Sequence, residues 1–105
     1  MTTAPRRSVT LGQANGPDVE LRVEGDESYA TYQTLGGRPA VYDEQAGLFC
    51  YARLVDGRFV STGTPISEPP PRDAAPVHAE ESPSVRHARA AETRARRARR
   101  GREEE

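Results

Sequence analysis

At 105 residues the chain holds one small domain, and 34% hydrophobic against 30% charged residues excludes a single packed globule over its whole length. The formal net charge of −1 hides an asymmetry: residues 1–83 carry seven Arg against twelve acids, net −5, while residues 84–102 carry eight Arg against Glu92 alone, net +7. No apolar stretch approaches the ~20 residues of a membrane helix, and Cys50, the single cysteine, excludes an intrachain disulfide.

Residues 1–7 carry two arginines and no apolar run of signal-peptide length, so they are expected to be disordered and the chain as written to be soluble and cytoplasmic. From Ser8 an alternation begins, with Val9 and Leu11 set against Ser8 and Thr10. Asn15-Gly16-Pro17-Asp18 reads as a turn. Val19, Leu21 and Val23 then alternate with Glu20, Arg22 and Glu24, the period of a half-buried antiparallel strand with Val19, Leu21 and Val23 on its buried face. Gly25-Asp26 breaks it. Strands are expected over 29–35 and 40–42, with Gly36-Gly37 between them and the polar turn Asp43 to Gly47 after them. Leu48 to Val55 is the most strand-like run in the chain. Asp56-Gly57 is a two-residue hairpin signal that needs positive φ at both positions, and 59–62 returns as the partner strand. Six short strands joined by tight turns predict a mainly β fold, a small antiparallel meander over residues 8–64.

Residues 65–82 are rich in Pro and acid and read as an extended linker. Residues 83–102 read as a basic helix, with Ser82 as N-cap, Pro83 at the first helical position and Gly101 as the stop, followed by the acidic end 103–105. Ala88, Ala91, Ala95 and Ala98 fall on one stripe with Val85. That stripe is suited to seating a partner but too thin to nucleate a core. The helix is expected to be mobile and separable from the sheet, and marginal alone because like charges stand three and four residues apart.

Sites for chemistry are few. His78 and His87, the only histidines, stand in no His-Glu-x-x-His array, and with one cysteine they make no closed zinc site. There is no Gly-x-Ser-x-Gly elbow, phosphate loop or dinucleotide fingerprint. No cofactor, metal or catalytic residue is implied. Cys50 shares a strand face with Leu48, Ala52 and Leu54 and reads as a small buried hydrophobe. Asp26 and Glu27 read as turn chemistry or as contacts to a partner domain. Arg94, Arg96, Arg97, Arg99 and Arg100 form the candidate contact for nucleic acid or another polyanion, although no aromatic residue follows Phe59 to stack on bases.

Taken in order, Val9, Gln13 and Gly16, then Leu21, Arg22, Gly25, Asp26 and Glu27, then Tyr32, Thr34, Gly37 and Val41, then Gly47, Tyr51 and Ala52, and last Val60, Thr62 and Gly63 form a recognisable series. The series resembles the N-terminal domain of zinc metalloproteases similar to immune inhibitor A, with Glu44 standing where the family carries Asp. The resemblance covers residues 9–64, and the Arg/Ala-rich segment looks like the connector leading to the protease domain. It implies a non-catalytic, propeptide-like domain that assists folding of a protease or covers its cleft, with the catalytic domain as partner in cis and secretion as the family's habit. The zinc-binding motif itself is absent, so no protease residue carries over.

Overall fold

The computed structural model describes residues 7–25 and 29–103, with side chains through Ala98. The alternating runs become β1 (Arg7–Gln13), β2 (Gly16–Gly25), β3 (Ala30–Gln33), β4 (Pro39–Asp43), β5 (Leu48–Val55) and β6 (Arg58–Pro65), and the helix-prone tail becomes α1 (Pro83–Glu103). All six strands form one sheet in sequence order, each antiparallel to the next. The expected meander is therefore the fold.

Because side chains alternate along a strand, the register sorts residues into two faces. Leu21, Tyr32, Ala40, Tyr42, Phe49 and Tyr51 share the first face, and Gln33, Val41, Cys50, Ala52 and Phe59 share the second. Both faces are buried in the middle of β5, where Phe49, Cys50, Tyr51 and Ala52 are all shielded. A half-solvated meander shields one face only, so each face here must have its own cover.

The first face is covered by the chain's own hairpin. β2 pairs with β3 only over Arg22 to Gly25, so the rest of the β1–β2 hairpin runs past β3 and leans over the sheet. Its tip is tied down by Asn15 N–H to the Gly47 carbonyl at 3.0 Å and by Asn15 Nδ2 to the Ala46 carbonyl at 2.8 Å. The Phe49 N–H donates to Gln13 Oε1 at 2.6 Å. Leu21, fully buried, packs with Ala40 and Phe49, and Leu11, Val19, Tyr32 and Ile66 close around them. Phe49 stands edge-on to Tyr32 and Tyr42, with ring centroids 5.7 and 5.0 Å away. The turn of this hairpin is narrower than expected: only Ala14 and Asn15 turn, while Gly16, Pro17 and Asp18 already belong to β2. Proline is tolerated there because that part of β2 has no outer neighbour requiring its N–H.

The second face is covered by the segment expected to be an extended linker. It does not run free. The Ala75 N–H donates to the Ala52 carbonyl at 2.8 Å, the His78 N–H to the Gly37 carbonyl at 2.9 Å and the Ser82 N–H to the Gly57 carbonyl at 2.9 Å. Ala75 is buried against Ala52 and Phe59, with Val41 and Ala79 packed alongside. Backbone hydrogen bonds and two small alanines, rather than large apolar side chains, thus hold the cover in place. Leu54 lies on this face but beyond the covering segment, and it is 40% exposed.

The Asp56-Gly57 turn takes the expected conformation, with φ of 52° and 78°. It also supports the cover. A Cβ on Gly57 would lie 2.6 Å from Ser82 Oγ and 2.8 Å from Ser82 Cβ. Gly57→Ala is therefore expected to destabilise the chain by roughly 1–3 kcal/mol, from left-handed backbone strain plus displacement of Ser82. Gly12→Ala, whose nearest side-chain contact would be an ordinary 3.6 Å, should stay within about 0.5 kcal/mol of wild type. Urea midpoints at unchanged m-value check both.

The helix begins as read, at Pro83, with Val85 N–H on Ser82 Oγ at 3.3 Å and Arg86 N–H on the Ser82 carbonyl at 2.9 Å. It does not stop at Gly101 but runs to Glu103. Of the segment expected to be disordered, residues 1–6 lie outside the described residues, and Arg7 already pairs with Val23.

Candidate functional site: a polar cleft beneath the helix

Glu81, immediately before the N-cap, is the centre of the most elaborate side-chain cluster among the described residues. It is 3% exposed. Burying a carboxylate is costly unless donors surround it, and three do. Tyr29 Oη–H donates to Oε1 at 2.7 Å, the Phe59 N–H donates to Oε2 at 2.7 Å, and Arg89 Nη2 meets Oε2 at 3.1 Å. One side chain therefore joins the entry to β3, the start of β6 and the second turn of α1. Burial, reinforced by the hydrogen bond to Glu81, pushes the Tyr29 hydroxyl above the usual tyrosine range, so it remains a donor. By contrast the Arg86–Glu80 pair, 3.1 Å apart, lies at the surface, with Glu80 70% exposed.

The helix meets the sheet through an arginine stripe. Arg86, Arg89, Ala90 and Thr93 are half-buried on the inner side, whereas Ala88, Ala91, Ala95 and Ala98 are all exposed. The alanine stripe thus faces outward, away from the sheet. The inner side carries arginine because the face beneath offers a buried carboxylate, and arginine stems cover apolar surface while their heads pair with it.

Two clefts flank the Glu81 cluster. The larger, about 240 Å³, is bounded by Tyr29, Thr31, Val41, Glu81, Arg89 and Thr93. The smaller, about 170 Å³, opens between Gln33, Ala79, Glu80 and Arg86. Neither holds the elements of covalent or metal chemistry: among the described residues no three His, Cys, Asp or Glu gather around a metal-sized space. Cys50 is fully buried, and burial pushes its thiol up, which keeps it a protonated, packed side chain. Asp43, held below the usual carboxylate range by the Ala46 N–H and then the Ser61 hydroxyl, closes the β4–β5 turn and bonds Ser61 Oγ at 2.8 Å.

The residues singled out from the sequence fall elsewhere. Asp26 and Glu27 lie outside the described residues. Arg94, Arg96 and Arg97 are exposed on α1 beyond the Glu81 cluster, and the side chains of Arg99 and Arg100 lie outside the described residues. Sequence reading missed Glu81, Tyr29, Arg89 and Gln33. The one available signal was an acid directly preceding a Ser-Pro helix start, where its charge favours the helix N-terminus. No helix is long and apolar enough to cross a membrane among the described residues. Compared with known proteins, the chain matches no family model, no curated protein and no solved structure.

Proposed function

We propose that the chain is a non-catalytic, propeptide-like β domain of the kind found in immune inhibitor A-like zinc metalloproteases, assisting the folding of a protease domain or covering its cleft. The observation that supports this reading is where the residues carrying the resemblance sit. Leu21 is the centre of the first-face core. Gln13 bonds the Phe49 N–H and the Pro17 carbonyl. Tyr51 Oη–H donates to the Glu68 carbonyl at 2.6 Å. Gly47, at φ 69°, closes the β4–β5 turn against Asn15. Each serves the fold. A pattern made of folding residues is compatible with a non-catalytic accessory domain, and that supports the reading.

The test adds the purified chain in trans to an immune inhibitor A-like catalytic domain during refolding from urea. The yield of active protease should rise, or casein hydrolysis by the folded protease should fall, with saturation near equimolar chain. The chain alone, with or without zinc, should cleave no casein. No effect on either yield or hydrolysis at excess chain sinks the proposal.

A second reading has its own observation. Arg94, Arg96 and Arg97 are exposed on a helix whose base is fixed by Glu81, a presentation suited to a polyanion. Binding to heparin or DNA with an affinity that falls linearly in log salt, and that is lost when the three are replaced by Gln, favours this reading over the first.

A further inference from the structure

The two edges of the sheet are finished differently. An edge strand presents a row of N–H and C=O groups that pairs with any strand offered to it, unless something occupies or distorts that row. On β6 the donors are spent within the chain. The Phe59 N–H donates to Glu81 Oε2, the Gly63 N–H to Ser61 Oγ at 3.0 Å and the Thr64 N–H to Thr62 Oγ1 at 3.1 Å. Gly63, at φ 81°, bends the strand, which ends on Pro65. β1 has none of these devices from Ser8 to Leu11. Its only neighbour is β2, residues 8–12 hold no proline and no charge, and among the described residues no group outside β2 bonds the backbone of Arg7 to Gly12.

The side chains of this edge select its occupant. Polarity along Arg7-Ser8-Val9-Thr10-Leu11-Gly12-Gln13 is nearly symmetric about Thr10. Laid antiparallel against itself with Thr10 on the two-fold axis, the strand sets Val9 on Leu11, Ser8 on Gly12 and Thr10 on Thr10. The half-buried Val9 and Leu11 of both copies then share one side. Pairing Val9 with Thr10 instead turns the apolar sides apart, and pairing Val9 with Val9 sets Arg7 on Leu11. Charge favours the Thr10 register too. Within each chain Ser8 stands beside Arg22, and the Asp18 carboxylate lies over Gly12, its Oδ1 3.6 Å from where a Cβ would stand. Setting Ser8 on Gly12 therefore brings Arg22 of one copy towards Asp18 of the other, twice, across two small residues. Neither Asp18 nor Arg22 has an ion pair within its own chain among the described residues. We infer that the β1 edge is the docking surface for a second copy of this chain, paired antiparallel about Thr10 so that the two sheets become one. The inference rests on the sheet edge and is independent of the function proposed above.

Sedimentation equilibrium of the full chain tests it, between about 10 µM and about 1 mM, the range in which so small an interface should assemble. Monomer should pass to dimer and no further. Thr10→Lys sets two ammonium groups against each other on the axis, while within its own chain the substituted position faces Glu20, so the fold is kept. The dimer should weaken at least about tenfold, with the melting temperature of dilute protein unchanged. Asp18→Arg should weaken it about threefold or more, and adding Arg22→Asp to the same chain should restore it, because the two charges are then exchanged across the axis. If Thr10→Lys fails to fold, the Asp18 and Arg22 variants carry the test alone. A monomer at every concentration overturns the inference. So does a dimer indifferent to folded Thr10→Lys, or the absence of any recovery in the double variant.

Discussion

Glu81→Ala is expected to destabilise the full chain by roughly 2–4 kcal/mol. The substitution strands the buried Phe59 N–H, 2.7 Å from the carboxylate, and a buried donor left unmet costs about 1–3 kcal/mol; the half-buried Tyr29 hydroxyl, also at 2.7 Å, loses its acceptor too, at a smaller cost. The Arg89 guanidinium adds less, because its side chain is 39% exposed and water replaces the lost partner. At about 4–8 °C per kcal/mol for a domain of this size, the melting temperature should fall by 8 °C or more. Glu80→Ala is the control: one residue away, equally acidic, but exposed and paired only at the surface, it should cost less than about 1 kcal/mol. Calorimetry on both variants decides the matter. Equal effects would mean that the pair of acids acts through charge alone and that the cluster around Glu81 carries no weight.

Leu21→Ala should cost roughly 2–5 kcal/mol, the range for emptying a fully buried leucine site. Leu21 has no solvent exposure and sits between Ala40 and Phe49, roofed by the overhanging hairpin. The high end is expected, because that roof is fixed at its tip by Asn15 and Gln13 and is not free to collapse into the space. Glu20→Ala, on the opposite side of the same strand and exposed, should stay within about 0.5 kcal/mol of wild type. Urea unfolding followed by tyrosine fluorescence measures both, and a Leu21 effect no larger than that of Glu20 would refute the assignment of faces.

The contrast between sheet and cover explains what was legible in the chain. β5 was found residue for residue, because its apolar run is bounded by Gly47 and by Asp56-Gly57, and both boundaries are local chemistry. The six-strand order followed for the same reason: no two successive strands are separated by more than five residues. Double burial of β5 was not legible, because it depends on what lies above and below the sheet. The second-face cover comes from a Pro-rich segment whose grip is backbone hydrogen bonding plus Ala75 and Ala79, a composition shared with free linkers. The helix was visible as a helix, and its alanine stripe is exposed; its attachment was not visible, because one buried carboxylate holds the arginine side against the sheet. Removing residues 80–105, which the sequence treats as a detachable tail, therefore also removes Glu81. The Glu81→Ala deficit sets the least that this truncation should cost.

The closing contacts have a consequence for how the protein is made. Tyr29 and Phe59 meet their carboxylate 52 and 22 residues downstream. Translation delivers the chain from its N-terminus, so all six strands emerge before Glu81 does. Until then Ala52, Val41 and Phe59 form a bare apolar strip beside unpaired polar atoms, the kind of surface that attracts chaperones or other nascent chains. The arginine-rich stretch follows directly behind the cover. A sheet that forms during synthesis therefore has its second face open until the chain from Ile66 to Glu81 has followed.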